Sequence, residues 1–145
     1  MPKPILILNG PNLNRLGLRE PAVYGQETLE QVCKRIAARA GELGVSVEFY
    51  QSNHEGDLID RIHAAADTAA GVILNPGGLA HTSVALRDAV ASIPIPTVEV
   101  HISNIFAREP FRRRSIVSGA CRGVITGLGT QGYLLALEHL VALLR

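Results

Sequence analysis

The feature that most constrains the fold is a set of five short apolar runs separated by helix-length stretches. Ile5-Leu6-Ile7-Leu8 is closed by Asn9-Gly10-Pro11. Val45 to Tyr50 sets Val47 and Phe49 on one face. Gly71-Val72-Ile73-Leu74 is closed by Asn75-Pro76-Gly77-Gly78. Thr97-Val98-Glu99-Val100 and Gly123-Val124-Ile125-Thr126 complete the set. Runs of this length, apolar at consecutive positions, predict strands buried on both faces, as in a parallel sheet.

The stretches between the runs have helical periodicity. Leu29, Val32, Cys33, Ile36, Ala37, Ala40 and Leu43 recur at i, i+3, i+4, i+7. Thr28 and Gln31 are spaced as a capping box at the start, and Gly44 is a C-terminal stop. Leu58, Ile59, Ile62 and Ala66 predict a second helix. A third begins near Thr82 or Ser83 and carries Val84, Leu86 and Val90. A last one runs from about Gln131 to Leu144, with Tyr133, Leu134, Leu137, Val141 and Leu144. Alternating strands and helices imply right-handed βαβ units. The expected fold is α/β, a flavodoxin-like three-layer sandwich around a five-stranded parallel sheet of order 2-1-3-4-5. With 145 residues and no linker or repeat, residues 1–145 read as a single domain.

Composition excludes several classes. Apolar residues make up 47% and charged residues 19%, which is not a disordered chain. A net charge of +1, 4% aromatics and no Trp argue against nucleic acid as a partner. No apolar stretch is long enough to span a membrane, and the N-terminal run is too short for a signal-peptide core. Cys33 and Cys121 stand far apart and read as two buried apolar thiols in a reducing compartment, so a cytoplasmic protein is expected. The five histidines show no metal-ligand spacing, so no metal is expected. Lys3 and Lys34, the only lysines, lie away from strand ends, so a Schiff base is not expected either.

In open parallel sheets ligands bind beyond the carboxyl ends of the strands. The first run leads to Asn9, Asn12 and Asn14, the third to Asn75 and His81, and the fourth to His101, Ser103 and Asn104. Glu99 lies inside an apolar run, where a carboxylate must be paired or functional. Two residues apart on a strand, Glu99 and His101 face the same side. A carboxylate beside an imidazole fixes its tautomer and suits it to general-acid work. Residues 10–27 show no periodicity and hold Arg15, Arg19, Glu20 and Tyr24, with Gly17 and Gly25 as hinge candidates. This segment reads as an active-site lid. Arg19 is the expected neighbour of Tyr24, where a guanidinium would favour the phenolate. Arg108, Arg112, Arg113 and Arg114 form a basic cluster able to meet an anionic, oxygen-rich ligand. Gly127-Leu-Gly-Thr-Gln-Gly132 matches a dinucleotide turn, but too few residues follow it for the ribose-binding acid, so it reads as tight packing of the last helix. That turn and the arginines nonetheless leave a flavin- or nucleotide-binding module as the second functional class.

Taken in order, several motifs resemble the type II 3-dehydroquinate dehydratases. They are Asn9-Gly-Pro-Asn-Leu-Asn14, Arg19-Glu-Pro with Tyr24-Gly25, Asn75-Pro-Gly, His81-Thr-Ser-Val-Ala-Leu-Arg-Asp88 and Glu99-Val-His-Ile-Ser-Asn104. Arg108-Glu109, Phe111-Arg112 and Gly132-Tyr133 follow, so the resemblance covers nearly the whole chain. It departs from the family pattern at Gly78-Leu79-Ala80 before His81, and at Arg15. The resemblance implies a cofactor-free anti elimination of water from 3-dehydroquinate through an enolate, in the shikimate pathway. It implies Tyr24 as the base, Arg19 as its activator, Asn12 as the holder of a water against the enolate, and His101 as the acid oriented by Glu99. It further implies Asn75, His81 and Arg112 as contacts to substrate hydroxyls, and Ile102 and Ser103 as contacts to the carboxylate. Arg108 would be a lid partner with Arg19 and Tyr24. Assembly would be a homododecamer of four trimers, with Asp88 reaching a neighbouring subunit's site.

Overall fold

The structure is a computed structural model that describes residues 2–145. Its strands are β1 (Ile5–Asn9), β2 (Val47–Gln51), β3 (Gly71–Asn75), β4 (Thr97–His101) and β5 (Gly123–Thr126). Its helices are α1 (Pro21–Tyr24), α2 (Leu29–Leu43), α3 (Glu55–Thr68), α4 (Val84–Ala91) and α5 (Gln131–Leu144). The five strands form one parallel sheet in the expected order β2-β1-β3-β4-β5.

Alternate residues of each strand feed opposite layers. Ile5, Ile7, Ile73, Val98 and Val100 pack under α2 and α5, against Val32, Ile36, Leu137 and Leu140. Leu6, Leu8, Val72 and Leu74 pack on the other side against Leu58, Ile62, Leu86 and Val90 of α3 and α4. Burying a side chain of this kind contributes roughly 1.5–3 kcal/mol. The central strands β1, β3 and β4 are buried along their full length. The edge strands depart from the expectation of two buried faces, with Gly123 and Val124 of β5 exposed, because an edge strand has a neighbour on one side only.

The local signals act as read. Thr28 and Gln31 form both halves of a capping box at α2, and Gly44 closes that helix at φ 74°. Ser83 caps α4 by accepting from the Leu86 N–H. Val84 and Leu144, both assigned to apolar faces, are instead 61% and 47% exposed. Val84 is the first residue of α4 and Leu144 the last of α5, each at the end of a packed stripe. The glycine-rich turn before α5 brings that helix close to the sheet, since a Cβ on Gly132 would lie 3.2 Å from Val100. Residues 10–27 are more ordered than their lack of periodicity suggested, with a 3-10 turn at Leu13–Arg15 followed by α1. Among the described residues no helix is long and apolar enough to cross a membrane.

Candidate active site

The ends of β1, β3 and β4 supply the site. Asn9 and Asn75 are register partners, while Leu74 pairs with Glu99, so β4 carries His101 past the level of Asn75. The turns after β1 and β3 are in direct contact. A Cβ on Gly10 would stand 2.6 Å from the Pro76 carbonyl oxygen, so any side chain there would separate the turns that bear Asn12 and Asn75. Asn12 sits at φ 72°, a left-handed conformation that Asn tolerates better than most residues. Its N–H donates to Asn53 Oδ1 at 2.9 Å. Below the turns, the buried Tyr133 hydroxyl donates to Asn9 Oδ1 at 2.6 Å and accepts from Asn75 Nδ2 at 2.8 Å. Burial pushes the Tyr133 phenol upward, more than the Asn75 bond lowers it, so it stays a neutral donor. Asn75 Oδ1 accepts from the Gly77 N–H, which leaves one Nδ2 hydrogen to face the pocket.

Glu99 is fully buried and His101 nearly so. A carboxylate out of water needs hydrogen-bond donors, and His101 Nε2 supplies one at 2.5 Å from Glu99 Oε2. Ser118 Oγ supplies another to the same oxygen at 2.9 Å. With Nε2 occupied, His101 has Nδ1 free for the pocket. His81 is oriented by a different partner. Its Nδ1 lies 2.8 Å from the Arg114 carbonyl, and a carbonyl only accepts, so Nδ1 carries the hydrogen and Nε2 is free to accept. The two imidazoles stack with centroids 6.2 Å apart.

Arg19, Tyr24 and Arg108 form a further wall of the pocket. Arg108 Nη1 donates to the Tyr24 hydroxyl at 2.6 Å and to Ser103 Oγ at 3.2 Å. Arg19 lies over the Tyr24 ring with its guanidinium carbon 4.6 Å from the centroid. The sequence made Arg19 the neighbour of the phenol. The structure puts Arg19 on the ring face and Arg108 on the oxygen. At the end of residues 10–27, Glu27 accepts from Thr130, just before α5, and from Arg35 of α2. Partial burial raises the Glu27 carboxyl, but those hydrogen bonds outweigh it and hold it below its ordinary range.

One pocket is lined by every residue to which the family resemblance gives a role except Glu99 and Asp88, while Asn9, Asn14, Glu20, Asn104, Arg113 and Arg114 lie outside its lining. Glu99 stands behind His101. Asp88 is exposed on α4 and does not line the pocket of its own chain. Leu79, one of the departures from the family pattern, packs into the core below the site, and Arg15 is exposed. Neither cysteine is the buried apolar thiol expected, since Cys33 and Cys121 are both only half-buried and Cys121 lies 3.9 Å from Glu99 Oε1. Asn53, Ser118 and the hydroxyl role of Tyr133 were missed, because each partner is distant in sequence and no spacing announces the pair. Among the described residues no group of three or more His, Cys, Asp or Glu is placed to hold a metal ion.

The family model described as dehydroquinase class II matches residues 3–141. A 3-dehydroquinate dehydratase 2 of Corynebacterium efficiens is 61% identical over 138 residues, covering 94% of this chain and 95% of the relative. A 3-dehydroquinate dehydratase of Endomicrobium trichonymphae is 54% identical over 142 residues, covering 98% and 99%. The crystal structure of type II dehydroquinase from Propionibacterium acnes superposes with a TM-score of 0.94 at 46% identity, covering 98% of each chain.

Proposed function

The chain belongs to the class II dehydroquinase family, the 3-dehydroquinate dehydratases of the shikimate pathway, and we propose that its pocket removes water from 3-dehydroquinate by stepwise acid–base catalysis. Tyr24, as phenolate, takes the proton beside the ketone. The C–H electron pair moves into an enolate. The enolate then collapses, the new C=C bond forms, and the C–O bond to the leaving hydroxyl breaks as His101 delivers a proton to it. Water leaves, and the product is the conjugated enone 3-dehydroshikimate. Tyr24 ends one proton richer and His101 one poorer, and exchange with solvent restores both.

The observation that carries this reading is that one pocket holds a guanidinium-bound tyrosine and a carboxylate-backed imidazole. An N–H donated by a guanidinium stabilises negative charge on a phenol oxygen more than a neutral donor does. Arg108 is that donor, and Arg19 on the ring adds a second positive charge. A proton given up by His101 leaves an imidazole still anchored through Nε2 to Glu99. Asn12, held by Asn53, is available to fix a water against the enolate oxygen, an oxyanion-hole role. Asn75, His81 and Arg112 are the contacts for substrate hydroxyls, and Ile102 and Ser103 for its carboxylate.

The whole chain acts here as one catalytic domain with residues 10–27 as its lid, and no cofactor or metal is assigned. A homododecamer of four trimers completes the reading. Asp88, exposed on α4, is then free to reach a neighbouring subunit's site. Free Cys33 and Cys121 are in keeping with a reducing, cytoplasmic setting. The test is to add the protein to 3-dehydroquinate and follow the ultraviolet absorbance of the enone, with EDTA present, and again after the protein has been treated with substrate plus borohydride and freed of both. Enone formation indifferent to both treatments supports the reading. Lasting inactivation by borohydride that requires substrate would replace the enolate by a Schiff base, and loss with EDTA would require a metal.

A further inference from the structure

We propose that Ser118 is a positioning residue for the proton-delivering step, holding the Glu99 carboxylate in the orientation that fixes His101. This rests on the acid role given to His101 above. Glu99 is fully buried and has two side chains besides His101 within hydrogen-bonding reach. Ser118 Oγ donates at 2.9 Å to Oε2, the same oxygen that receives His101 Nε2. Cys121 Sγ lies 3.9 Å from Oε1. A thiol is a weak donor, so the hydroxyl is the stronger restraint on carboxylate rotation. Neither Ser118 nor Cys121 lines the pocket, so any effect on turnover must pass through Glu99.

Both residues come from one braced segment. A 3-10 turn at Ser118–Ala120 brings the Cys121 N–H to the Ser118 carbonyl at 3.0 Å. The Ser118 N–H donates to Ser115 Oγ. Arg87 of α4 donates to the Ile116 carbonyl at 2.7 Å just before the turn. The donors therefore sit on a fixed platform, and Ser118 can define where the carboxylate stands. Burial, reinforced by the Glu99 charge, pushes the Cys121 thiol up to about 12, so it keeps its hydrogen at neutral pH.

The test is steady-state kinetics on 3-dehydroquinate for Ser118→Ala, Ser118→Thr, His101→Ala and the Ser118→Ala/His101→Ala pair. Ser118→Ala is expected to lower kcat by about tenfold, the scale of one hydrogen bond to a charged group. KM should stay within about twofold, since substrate contacts are untouched. Ser118→Thr, which keeps the hydroxyl, should restore most of the rate. In the His101→Ala background the loss of the serine should cost nothing further. A wild-type kcat for Ser118→Ala overturns the proposal. So does an equal loss in both backgrounds, which would mark a general structural role. A wild-type kcat for His101→Ala overturns the acid assignment itself, and this inference with it.

Discussion

The Arg108 guanidinium and the Tyr24 hydroxyl are 2.6 Å apart across a sequence separation of 84 residues. Through Nη1, Arg108 also reaches Ser103 Oγ, so a single side chain joins the lid to the end of β4. Replacing it by lysine keeps the charge but loses the planar guanidinium that sets Nη1 against both oxygens. Arg108→Lys is expected to lower kcat by roughly tenfold to a hundredfold, the range of a hydrogen bond to a charged group. Initial rates check this. A rate within twofold of wild type would remove Arg108 from the base.

His101→Ala removes the proton donor and should lower kcat by about 10²–10⁴-fold. Glu99→Gln keeps the shape and one acceptor oxygen, so it should cost less. Rates of the two variants compared side by side decide the order. A larger loss for Glu99→Gln would make the carboxylate, rather than the imidazole, the acting group.

Tyr133→Phe leaves Asn9 Oδ1 and Asn75 Nδ2 without the hydroxyl that joins them. Orphaned buried polar groups cost about 1–3 kcal/mol. Urea unfolding should reveal a destabilisation of that size. Because Asn75 loses its anchor, KM should rise as well. Unchanged stability and KM would make the hydroxyl chain incidental.

The strands, the helix caps and the strand ends that line the pocket were legible because each rests on short-range chemistry, whereas the strand order came from the usual arrangement of five-stranded sheets of this kind and not from any local signal. Apolar runs, the Thr28–Gln31 spacing and the residues just past a strand end can be read locally. The resemblance to a family supplied Asn12 and Asp88, on which spacing was silent. What stayed hidden are pairs formed by the fold. Arg108 rather than Arg19 reaches the phenol oxygen because the 3-10 turn at Ile105–Ala107, after β4, carries it to Tyr24. Ser118 and Cys121 meet Glu99 because β5 lies beside β4. Neither contact has a sequence period. Val84 misled because helical spacing does not tell where the packed stripe begins.

Alkaline pH should weaken the fold through Cys121. Its thiol is pushed up to about 12 by burial and by Glu99, whereas an unfolded thiol ionises near ~8.5. The folded pKa lies above the unfolded one, so the folded state keeps a proton that the unfolded state gives up. Stability is intact below pH ~8.5 and falls above it, by on the order of 1 kcal/mol per pH unit. Urea midpoints between pH 8 and 10 should fall more steeply for wild type than for Cys121→Ala. Parallel curves would contradict the assignment.

The most direct test of the central claim is the initial rate of enone formation by Tyr24→Phe, set beside its melting temperature and its calorimetric binding of 3-dehydroquinate. Losing only the hydroxyl removes the base but leaves the ring under Arg19. The account predicts a kcat lower by about 10²–10⁴-fold or more, with the fold intact and substrate still bound. Turnover at the wild-type rate would show that another group takes the proton and that the lid tyrosine is not the base.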